Sequence, residues 1–549
     1  MSPGHMAAPL PPPPSFACAR GPRASHRRWR WPIHENTAFG KHGDWAAAAI
    51  HAAFRPDERE GRLTDGIAPL NSEPILFTES IMTIRFHAVS LAALCLFSPV
   101  LPAHSATLGP AAVLDIGLTV SVTQVGTFAA PAGTNNYASP VTIGDHLYIV
   151  NQRGGTLSIH TGDGTMTSVI SPSGGIPEGV SPTGANALVN IAGADGRIYV
   201  AYTSSILPTG FANVEALPED PKYGTVSTYQ LVYSYTQQAD GSLTDPQPLA
   251  AFETSTVSGG HFGGGMLVLP DGNLLIARGD NLGGNDYGGT GAQAPDNTVA
   301  KLLIVDGTSG EVTVAATGVR NVQQLIYADN SRTTIAFADI GWRAAEEINV
   351  IDTATLTDTT TVENFGWGIA SDGLAREGTF YVGYDGTGTK EQNAAILGEA
   401  PLGEEGFLQP YAQFTREGGT FDSYFASSGP IASDISFSSI GFLFADLGTG
   451  NLFATLADAS ESVLNDVYKV WVQSPTGALV SMYEYLGNRR PDLRFFTFAD
   501  GSVGAISERF GTIYRITEVS LPAVPLPATG GMLLSALAAG ALLRRRARR

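Results

Sequence analysis

The sequence predicts an all-β fold, a six-bladed β-propeller of four-stranded blades over residues 118–519. One pattern recurs there: a turn, often Asp-Gly, then a short strand of alternating apolar residues, then glycine. Asp-Gly between such strands is typical of β-hairpins, and recurring four-strand units are typical of propellers. No convincing run of helical periodicity interrupts the pattern. A pair of β-sandwiches or a parallel β-helix would also be rich in glycine, but with shorter repeats.

The repeats follow one another at intervals of mostly about 45–75 residues, so six units fit the predicted domain. The first and last repeats are expected to share one blade. The recurring stretches are "IGDHLYIVNQRGGTLSIH" (143–160), "ADGRIYVAYT" (194–203), "PDGNLLIARGD" (270–280), "RTTIAFADIG" (332–341), "GTFYVGYDGTG" (378–388), "IGFLFADLGTGNLFAT" (440–455) and "ADGSVGAISERFGTIYRI" (499–516).

The N-terminal part of the chain differs from this domain. Residues 1–81 hold a proline run and the patch "SHRRWRW" without periodicity, and we expect them to be disordered. Residues 82–105, "MTIRFHAVSLAALCLFSPVLPAHS", have the three parts of a secretory signal peptide, with cleavage expected after Ser105. Because such a peptide acts at an N-terminus, we interpret Met82 as the true start and 1–81 as a mis-assigned upstream extension. The alternative is a buried apolar strand behind a disordered leader.

The C-terminal part, residues 520–549, contains "VPLPATGGMLLSALAAGALLRRRARR". A Pro-rich motif precedes an apolar segment, predicted to be a short helix, and five arginines follow it. The apolar segment is short for a stable membrane span, and arginines favour the cytoplasmic side. The order of the three parts resembles the VPLPA variant of PEP-CTERM sorting tails. That resemblance implies recognition by an exosortase-type transpeptidase of a Gram-negative bacterium, with transient inner-membrane contact. An ordinary anchor helix is the alternative.

Charge excludes two classes of partner for the exported domain. The whole chain has 32 basic and 51 acidic residues, and without the two ends 17 and 43 remain, a net charge of about −26. Such acidity argues against nucleic acid and against anionic membranes. Both cysteines, Cys18 and Cys95, lie in segments that we expect the mature protein to lack. The domain is therefore predicted to have no disulfide, although its destination is oxidising.

An ordered series of motifs runs through the middle of the domain. It consists of "HFGGG" (261–265), "PDG" (270–272), "RGD" (278–280), "GVRNVQ" (318–323), "DIG" (339–341), "EIN" (347–349) and "FGWG" (365–368). In this order and spacing the series resembles the glucose/sorbosone dehydrogenase family, the soluble PQQ-dependent aldose dehydrogenases with a six-bladed propeller. Taken alone, His261 in a Gly-rich loop is as easily a polar turn residue, and Trp367 a core residue.

The resemblance implies a role for each matching residue. His261 would be the base that takes the hydroxyl proton of a sugar, and Asp280 would orient it. Arg320 would stabilise charge on the cofactor PQQ, with Asn321 and Gln323 adding hydrogen bonds. The family's calcium ion takes backbone carbonyls that correspond to Gly341 and Trp342 here. Glu346 and Glu347 are consistent with a solvated turn, and neither is predicted to bind metal.

The sequence also departs from the family pattern. Trp342 stands where the family has proline, and the region 429–456, where the family supplies Lys or Arg for the three PQQ carboxylates, has no basic residue. Arg278, Arg416 and Arg509 remain as substitutes. Two interpretations follow: an exported PQQ- and Ca²⁺-dependent sugar or alcohol dehydrogenase, or a non-catalytic propeller that binds sugar or polysaccharide in the cell-surface matrix.

Overall fold

Short strands joined by tight turns form most of the regular structure. The protein is described by a computed structural model over residues 113–519, except for the segments 128–136, 161–165, 184–187, 195, 220–222, 224, 256–260, 282–289, 342–344, 359, 370–374, 383–395, 400–405, 416–430, 433–436 and 460–463. The predicted leader, signal peptide and C-terminal tail lie outside the described residues. No helix in the described ranges is long and apolar enough to cross a membrane.

The first half of the described chain contains strands β1 to β14 and one 3₁₀ helix, Thr290–Ala292. The strands are β1 (Leu114–Thr127), β2 (Tyr137–Ile143), β3 (His146–Asn151), β4 (Thr156–His160), β5 (Met166–Ile170), β6 (Leu188–Ala194), β7 (Arg197–Ser204), β8 (Val214–Glu215), β9 (Val226–Gln237), β10 (Leu243–Ser255), β11 (Gly263–Val268), β12 (Leu274–Arg278), β13 (Lys301–Val305) and β14 (Val312–Thr317).

The second half contains β15 to β31 and two one-turn helices, α1 (Thr353–Thr357) and α2 (Met482–Tyr485). The strands are β15 (Leu325–Tyr327), β16 (Thr334–Asp339), β17 (Ala345–Asp352), β18 (Glu363–Asn364), β19 (Gly368–Ile369), β20 (Ala375–Glu377), β21 (Phe380–Val382), β22 (Ile396–Glu399), β23 (Ala412–Thr415), β24 (Ile431–Ala432), β25 (Ile440–Ala445), β26 (Leu452–Leu456), β27 (Tyr468–Gln473), β28 (Leu479–Val480), β29 (Leu493–Thr497), β30 (Val503–Ser507) and β31 (Thr512–Val519).

Within the described residues the strands form six sheets. The first sheet is β2-β3-β4-β5, the second β6-β7-β9-β10-β8, the third β11-β12-β13-β14-β18 and the fourth β15-β16-β17-β23. A small sheet, β19-β20-β21-β22, lies before β23, and its strand β21 falls within the predicted repeat at 378–388. The last sheet, here the composite sheet, runs β24-β25-β26-β27-β1-β31-β30-β29. In it β1 pairs antiparallel with β31 and parallel with β27, so the first and last strands share one sheet.

The predicted Asp-Gly turns join strands as expected. In the "PDG" turn Gly272 has a φ of +88°, which glycine adopts without strain. Around it the amide of Leu269 donates to the carbonyl of Asn273, at 2.8 Å. The side chain of Asp271 accepts from the amide of Asn273, at 3.0 Å. This turn closes the β11–β12 hairpin, which carries the loop of His261 at its other end.

Apolar clusters join each sheet to the next. They link the first to the second sheet, the second to the third, the third to the fourth, the fourth to the composite sheet, and the composite sheet back to the first. This cyclic order makes the all-β arrangement propeller-like. Each cluster contains buried residues from both of the sheets that it joins. In the same order, one such pair per cluster is Leu157 with Leu231, Ala201 with Ile276, Leu302 with Phe337, Phe414 with Phe444, and Ile506 with Ile149.

Candidate active site

The loop of His261 is shaped by close contacts between backbone segments. His261 has a left-handed backbone, with a φ of +61°, directly before β11. Its carbonyl oxygen packs against Gly279, where an added Cβ would overlap that oxygen. Gly263, with a φ of +68°, is equally close to the carbonyl of Ala277. These two glycines are therefore required by close approach, and they hold His261 against the end of β12.

A carboxylate orients the imidazole from behind. Nδ1 of His261 lies 3.1 Å from Oδ1 of Asp280. The Asp280 side chain is completely buried, whereas that of His261 is 12% exposed. The amide of Asp280 donates to the carbonyl of Arg320, at 2.9 Å, which ties this pair to the next motif of the series. In the tautomer with its proton on Nδ1, the imidazole donates a hydrogen bond to this carboxylate, and Nε2 is left as the proton acceptor.

Asp339 anchors the segment that carries Arg320 and Asn321. Its two carboxylate oxygens accept from the backbone amides of Arg320 and Asn321, both at 2.7 Å. Burial raises the pKa of Asp339 to about 7, against the lowering effect of these two hydrogen bonds. The side-chain oxygen of Asn321 in turn accepts from the amide of Gly263, at 3.3 Å. The motifs "DIG", "GVRNVQ" and "HFGGG" are thus joined by hydrogen bonds.

One cavity of about 310 Å³ is bordered by these motifs and by the far end of the chain. Its volume lies at the lower end of the range for ligand pockets, about 300–1,000 Å³. The structure brings His261, Asn321 and Gln323 together on its wall, while Asp280 lies behind His261. The other polar lining residues among those described are Ser139, Gln152, Asn190, Gln324, Arg490, Asp492, Arg494, Glu508 and Arg509.

Three arginines that line this cavity come from β29 and from the loops next to the last strands. Asp492 is bound on one side by Arg490, at 2.7 Å, and on the other by Arg509, at 2.6 Å. Arg494 binds Glu508, at 2.8 Å. Arg490 and Arg509 stay 43% and 51% exposed, so their guanidinium groups are accessible from the cavity side or from solvent.

Of the three arginines that sequence reasoning offered as substitutes, Arg509 lines the cavity. Arg278 is buried elsewhere: its guanidinium packs over the ring of Phe252, 5.3 Å from the centroid, and donates to Thr298 and to the carbonyl of Glu253. Arg416 lies outside the described residues. Sequence reasoning did not single out Arg490 and Arg494, although both lie in the basic cluster "NRRPDLR" (488–494).

Arg320 does not border the cavity directly. Its side chain is 2% exposed, and Nη1 donates to the carbonyls of Ile340, at 2.7 Å, and Gly341, at 2.8 Å. The guanidinium also stacks on Trp367, 5.1 Å from the ring centroid. Ile340, whose carbonyl accepts from Arg320, is a lining residue, so Arg320 contacts the wall of the cavity without being part of its lining. Trp367 is buried as a core residue would be, and it packs on a cation at the same time.

The expected calcium ligands are only partly described. Gly341 is buried, its amide donates to Oε2 of Glu346 at 3.0 Å, and its carbonyl accepts from Arg320. Trp342 lies outside the described residues. In the part of the chain that the structure describes, no group of three or more His, Cys, Asp or Glu side chains is arranged to hold a metal ion.

Glu346 and Glu347 do not lie in a solvated turn. Both belong to β17, which pairs with β16 on one side and with β23 on the other, and both are buried. Burial raises the pKa of Glu347 well above its ordinary value, and the nearby charge of Asp339 adds to this shift. The interpretation as a turn was wrong. The stretch "AEEINVID" does not alternate in polarity, but a strand in the interior of a sheet can be buried on both faces and then needs no alternation.

The fold and the site together define a propeller-like protein with a histidine–carboxylate pair on the wall of an arginine-lined cavity. A model of the glucose/sorbosone dehydrogenase family matches residues 138–398, the range that contains His261, Asp280, Arg320, Asn321 and Gln323. No curated protein matches the chain. The arginines of β29 and its neighbouring loops lie beyond the matched range.

Among the solved structures that resemble the chain are the following three. An aldose sugar dehydrogenase from Streptomyces coelicolor, in its PQQ-bound form, is 18% identical, with 75% of this chain and 100% of that chain covered and a TM-score of 0.46. A glucose dehydrogenase is also 18% identical, with 73% and 100% covered and a TM-score of 0.45. A carbohydrate-active enzyme of family AA12 from Trichoderma reesei is 12% identical, with 75% and 98% covered and a TM-score of 0.43. Likenesses this weak carry no inference about activity.

Proposed function

We propose that the protein is a PQQ-dependent oxidoreductase of the glucose/sorbosone dehydrogenase family that oxidises a hydroxyl group of an aldose or related alcohol. The observation that carries the proposal is the meeting of His261, Asn321 and Gln323 with three arginines on one cavity. The family match over residues 138–398 supports it from the sequence side. The reaction requires a base, hydrogen-bonding groups and positive charge close together, and the histidine, the amide side chains and the arginines provide them.

The chemistry of the lining residues fits a compact anionic cofactor. PQQ carries three carboxylates, and burying them requires compensating positive charge. Guanidinium groups bind carboxylates through paired, charge-assisted hydrogen bonds. Arg490, Arg494 and Arg509 contribute three positive charges, and their partners Asp492 and Glu508 contribute two negative ones. The wall that they form is therefore net positive in a domain that is otherwise acidic.

His261 would hold the proton that the substrate releases. Bound PQQ supplies a quinone that accepts a hydride from the substrate carbon, so the hydroxyl proton of that carbon needs an acceptor. With Nδ1 of His261 directed at Asp280, Nε2 accepts that proton, and the buried carboxylate stabilises the imidazolium that forms. Asn321 and Gln323 offer amide groups to the cofactor from the same wall.

We propose that the ring has six blades, a finer description than the sheets alone require. The composite sheet would contribute two blades, β24 to β27 and β29 to β31 with β1, and the first four sheets one blade each. The small sheet of β19 to β22 would be an insertion. The parallel pairing of β1 with β27 accounts for the fusion of two neighbouring blades into one sheet.

We also propose that the protein is exported and processed at both ends. The signal peptide at 82–105 would be removed, and an exosortase-type transpeptidase would cut the tail near Val524–Ala528 after transient contact with the inner membrane. The domain would then act in the periplasm, at the cell surface or in the extracellular matrix. Its net negative charge suits such an exterior and argues against nucleic acid as a partner.

A non-catalytic propeller that binds sugar or polysaccharide is the second candidate. One observation favours it: each arginine of the cavity already has a carboxylate partner, so part of the positive charge is compensated within the protein. In that case the cavity would bind neutral sugar through its amide and hydroxyl groups. It would not bind PQQ.

A titration of the purified protein with PQQ separates the two candidates. Quenching of tryptophan fluorescence reports binding, and reduction of an electron-accepting dye with a panel of aldoses and alcohols reports turnover. Saturable PQQ binding with dye reduction that requires both PQQ and a sugar supports the dehydrogenase. Binding of a sugar, measured by calorimetry, without any binding of PQQ would instead establish the non-catalytic protein.

A further inference from the structure

The guanidinium of Arg320 binds the carbonyl of Gly341, one of the two to which the family resemblance assigns a calcium ion; the other, Trp342, lies outside the described residues. That resemblance assigns calcium to backbone carbonyls at Gly341 and Trp342. In the structure the carbonyl of Gly341 and the preceding carbonyl of Ile340 both point at one atom, Nη1 of Arg320, at 2.8 and 2.7 Å. These two oxygens therefore already stabilise a cation, and that cation belongs to the protein.

The two cations cannot share this place. Calcium binds oxygen at about 2.3–2.6 Å and collects six to eight such ligands. An ion that bridged the carbonyls of Ile340 and Gly341 would fall on the position of Nη1, and an ion on either carbonyl alone would lie next to a positive charge in a buried environment. The described carboxylates nearby already hold backbone groups of the protein. Asp339 accepts from two backbone amides, and Glu346 accepts from the amide of Gly341.

Arg320 is held in place from several sides. Trp367 lies under the guanidinium, and its own backbone amide donates to the carbonyl of Gly318 at 2.8 Å, which fixes the ring against the segment of Arg320. Asp339 fixes the backbone of Arg320 itself, at 2.7 Å. Burial of the side chain removes water as a competing partner for the two carbonyls. A calcium ion would have to displace this packed side chain to reach the same oxygens.

We propose that the guanidinium of Arg320 replaces the calcium ion of the family, so that the protein binds its cofactor without calcium. The identity of the cofactor as PQQ rests on the proposed function; the exclusion of calcium from the Ile340 and Gly341 carbonyls does not. Arg320 then acts from behind Ile340 as a positioning residue. It fixes the wall of the cavity, and it supplies a single positive charge where a calcium ion would supply two.

Two measurements test the proposal on the whole protein. The Kd of PQQ is determined by fluorescence quenching in about 1 mM Ca²⁺ and in EGTA, and we expect it to change by less than about threefold because calcium is not coupled to the site. Separately, Ca²⁺ binding is measured by equilibrium dialysis and by tryptophan-sensitised Tb³⁺ luminescence without any PQQ. Arg320→Gln is expected to gain a Ca²⁺-dependent Tb³⁺ signal that the unchanged protein lacks, and Arg320→Lys to remain like the unchanged protein.

Arg278→Gln is the matched control, because Arg278 is also buried, stacked on an aromatic ring and bound to a carbonyl, but away from the cavity. It should gain no cation binding. A Kd for PQQ that weakens about tenfold or more in EGTA would overturn the proposal, as would stoichiometric Ca²⁺ binding to the unchanged protein that PQQ tightens. Failure of PQQ to bind in either buffer would contradict the proposed function alone, since the dialysis and Tb³⁺ results still decide whether Arg320 excludes calcium.

Discussion

The side chain of Asp280 lies directly behind that of His261, with its Oδ1 3.1 Å from Nδ1 of the imidazole. Asp280 is closed off from solvent, whereas His261 borders the cavity. Water therefore does not compete for this hydrogen bond, and the imidazole is fixed in one orientation with respect to the cavity. The pair offers one proton-accepting nitrogen on a wall that also carries amide and guanidinium groups.

Substitution of His261 should affect turnover far more than binding. We expect His261→Ala to lower kcat by about 10²-fold or more, because the hydroxyl proton loses its acceptor, while the Kd of PQQ changes little. Stopped-flow dye reduction and fluorescence titration measure the two quantities. His146→Gln is the control, since the side chain of His146 is partly exposed, does not line the cavity and among the described hydrogen bonds interacts only with the carbonyl of Ala239. Equal loss of binding and turnover in His261→Ala would contradict a role as base.

The close contact at Gly279 should make that position intolerant of a side chain. We expect Gly279→Ala to destabilise the protein by about 1–3 kcal/mol, because the new Cβ overlaps the carbonyl of His261 and forces the loop to move. A displaced His261 should also lower kcat. Gly174→Ala is the control: its Cβ would meet no atom within 4 Å, so a change within about 0.5 kcal/mol is expected. Urea unfolding measures both, and equal effects would disprove the steric argument.

Much of the fold could be predicted because local chemistry determines it. The Asp-Gly turn at Asp271 and Gly272 and the apolar alternation after it define β12 without reference to the rest of the chain. The neighbourhood of His261 and Asp280 could also be expected, since both lie at one end of the same hairpin. Their catalytic role remains a prediction.

What could not be predicted depends on long-range packing. Arg490 and Arg494 reach the cavity only because the ring closes and brings β29 beside β2, more than 300 residues away in the sequence. The burial of Glu347 depends on pairing with β23 across the inserted small sheet. The position of the Arg320 side chain depends on two carbonyls and an aromatic ring whose directions no motif encodes.

The arginines of the cavity should determine cofactor affinity. We expect Arg494→Gln and Arg509→Gln each to weaken PQQ binding about tenfold or more, since a hydrogen bond to a charged group contributes about 1.5–3 kcal/mol. Arg515→Gln is the control because Arg515 binds Asp500 at 2.7 Å and does not line the cavity. The Kd of PQQ should also rise with salt concentration. An unchanged Kd in both variants would show that these arginines do not bind the cofactor.

The ends of the exported protein should correspond to the two processing signals. We expect its N-terminus near Ala106 and its C-terminus within or before Val524–Ala528, because the internal signal peptide and the Pro-rich motif mark these positions. N-terminal sequencing and intact-mass measurement of protein from the cell surface or medium test both. A mature chain that begins before Met82, or that retains the five C-terminal arginines, would contradict the respective assignment.

Lys301 provides a pH-dependent test of the fold that is independent of the site. Its Nζ is completely buried and donates to the carbonyls of Ala292, at 2.7 Å, Val299, at 3.0 Å, and Gly291, at 3.3 Å. Burial, together with the positive charge of Arg278, lowers the pKa of Lys301 from 10.5 to about 7. Between these two pH values the unfolded chain binds more protons at this lysine than the folded chain does.

The stability of the protein relative to a Lys301→Met variant should therefore rise with pH. Where the unfolded state binds the extra proton, the free energy of unfolding increases with pH, by up to about 1.4 kcal/mol per pH unit for a full proton. The destabilising cost of the buried charge is fully present below about pH 7 and is relieved as the pH approaches 10.5. We expect the Tm of the unchanged protein minus that of the variant to increase from pH 7 to pH 9, in calorimetric scans at constant ionic strength. A difference that stays constant or falls over this range would show that the lysine remains charged in the folded state.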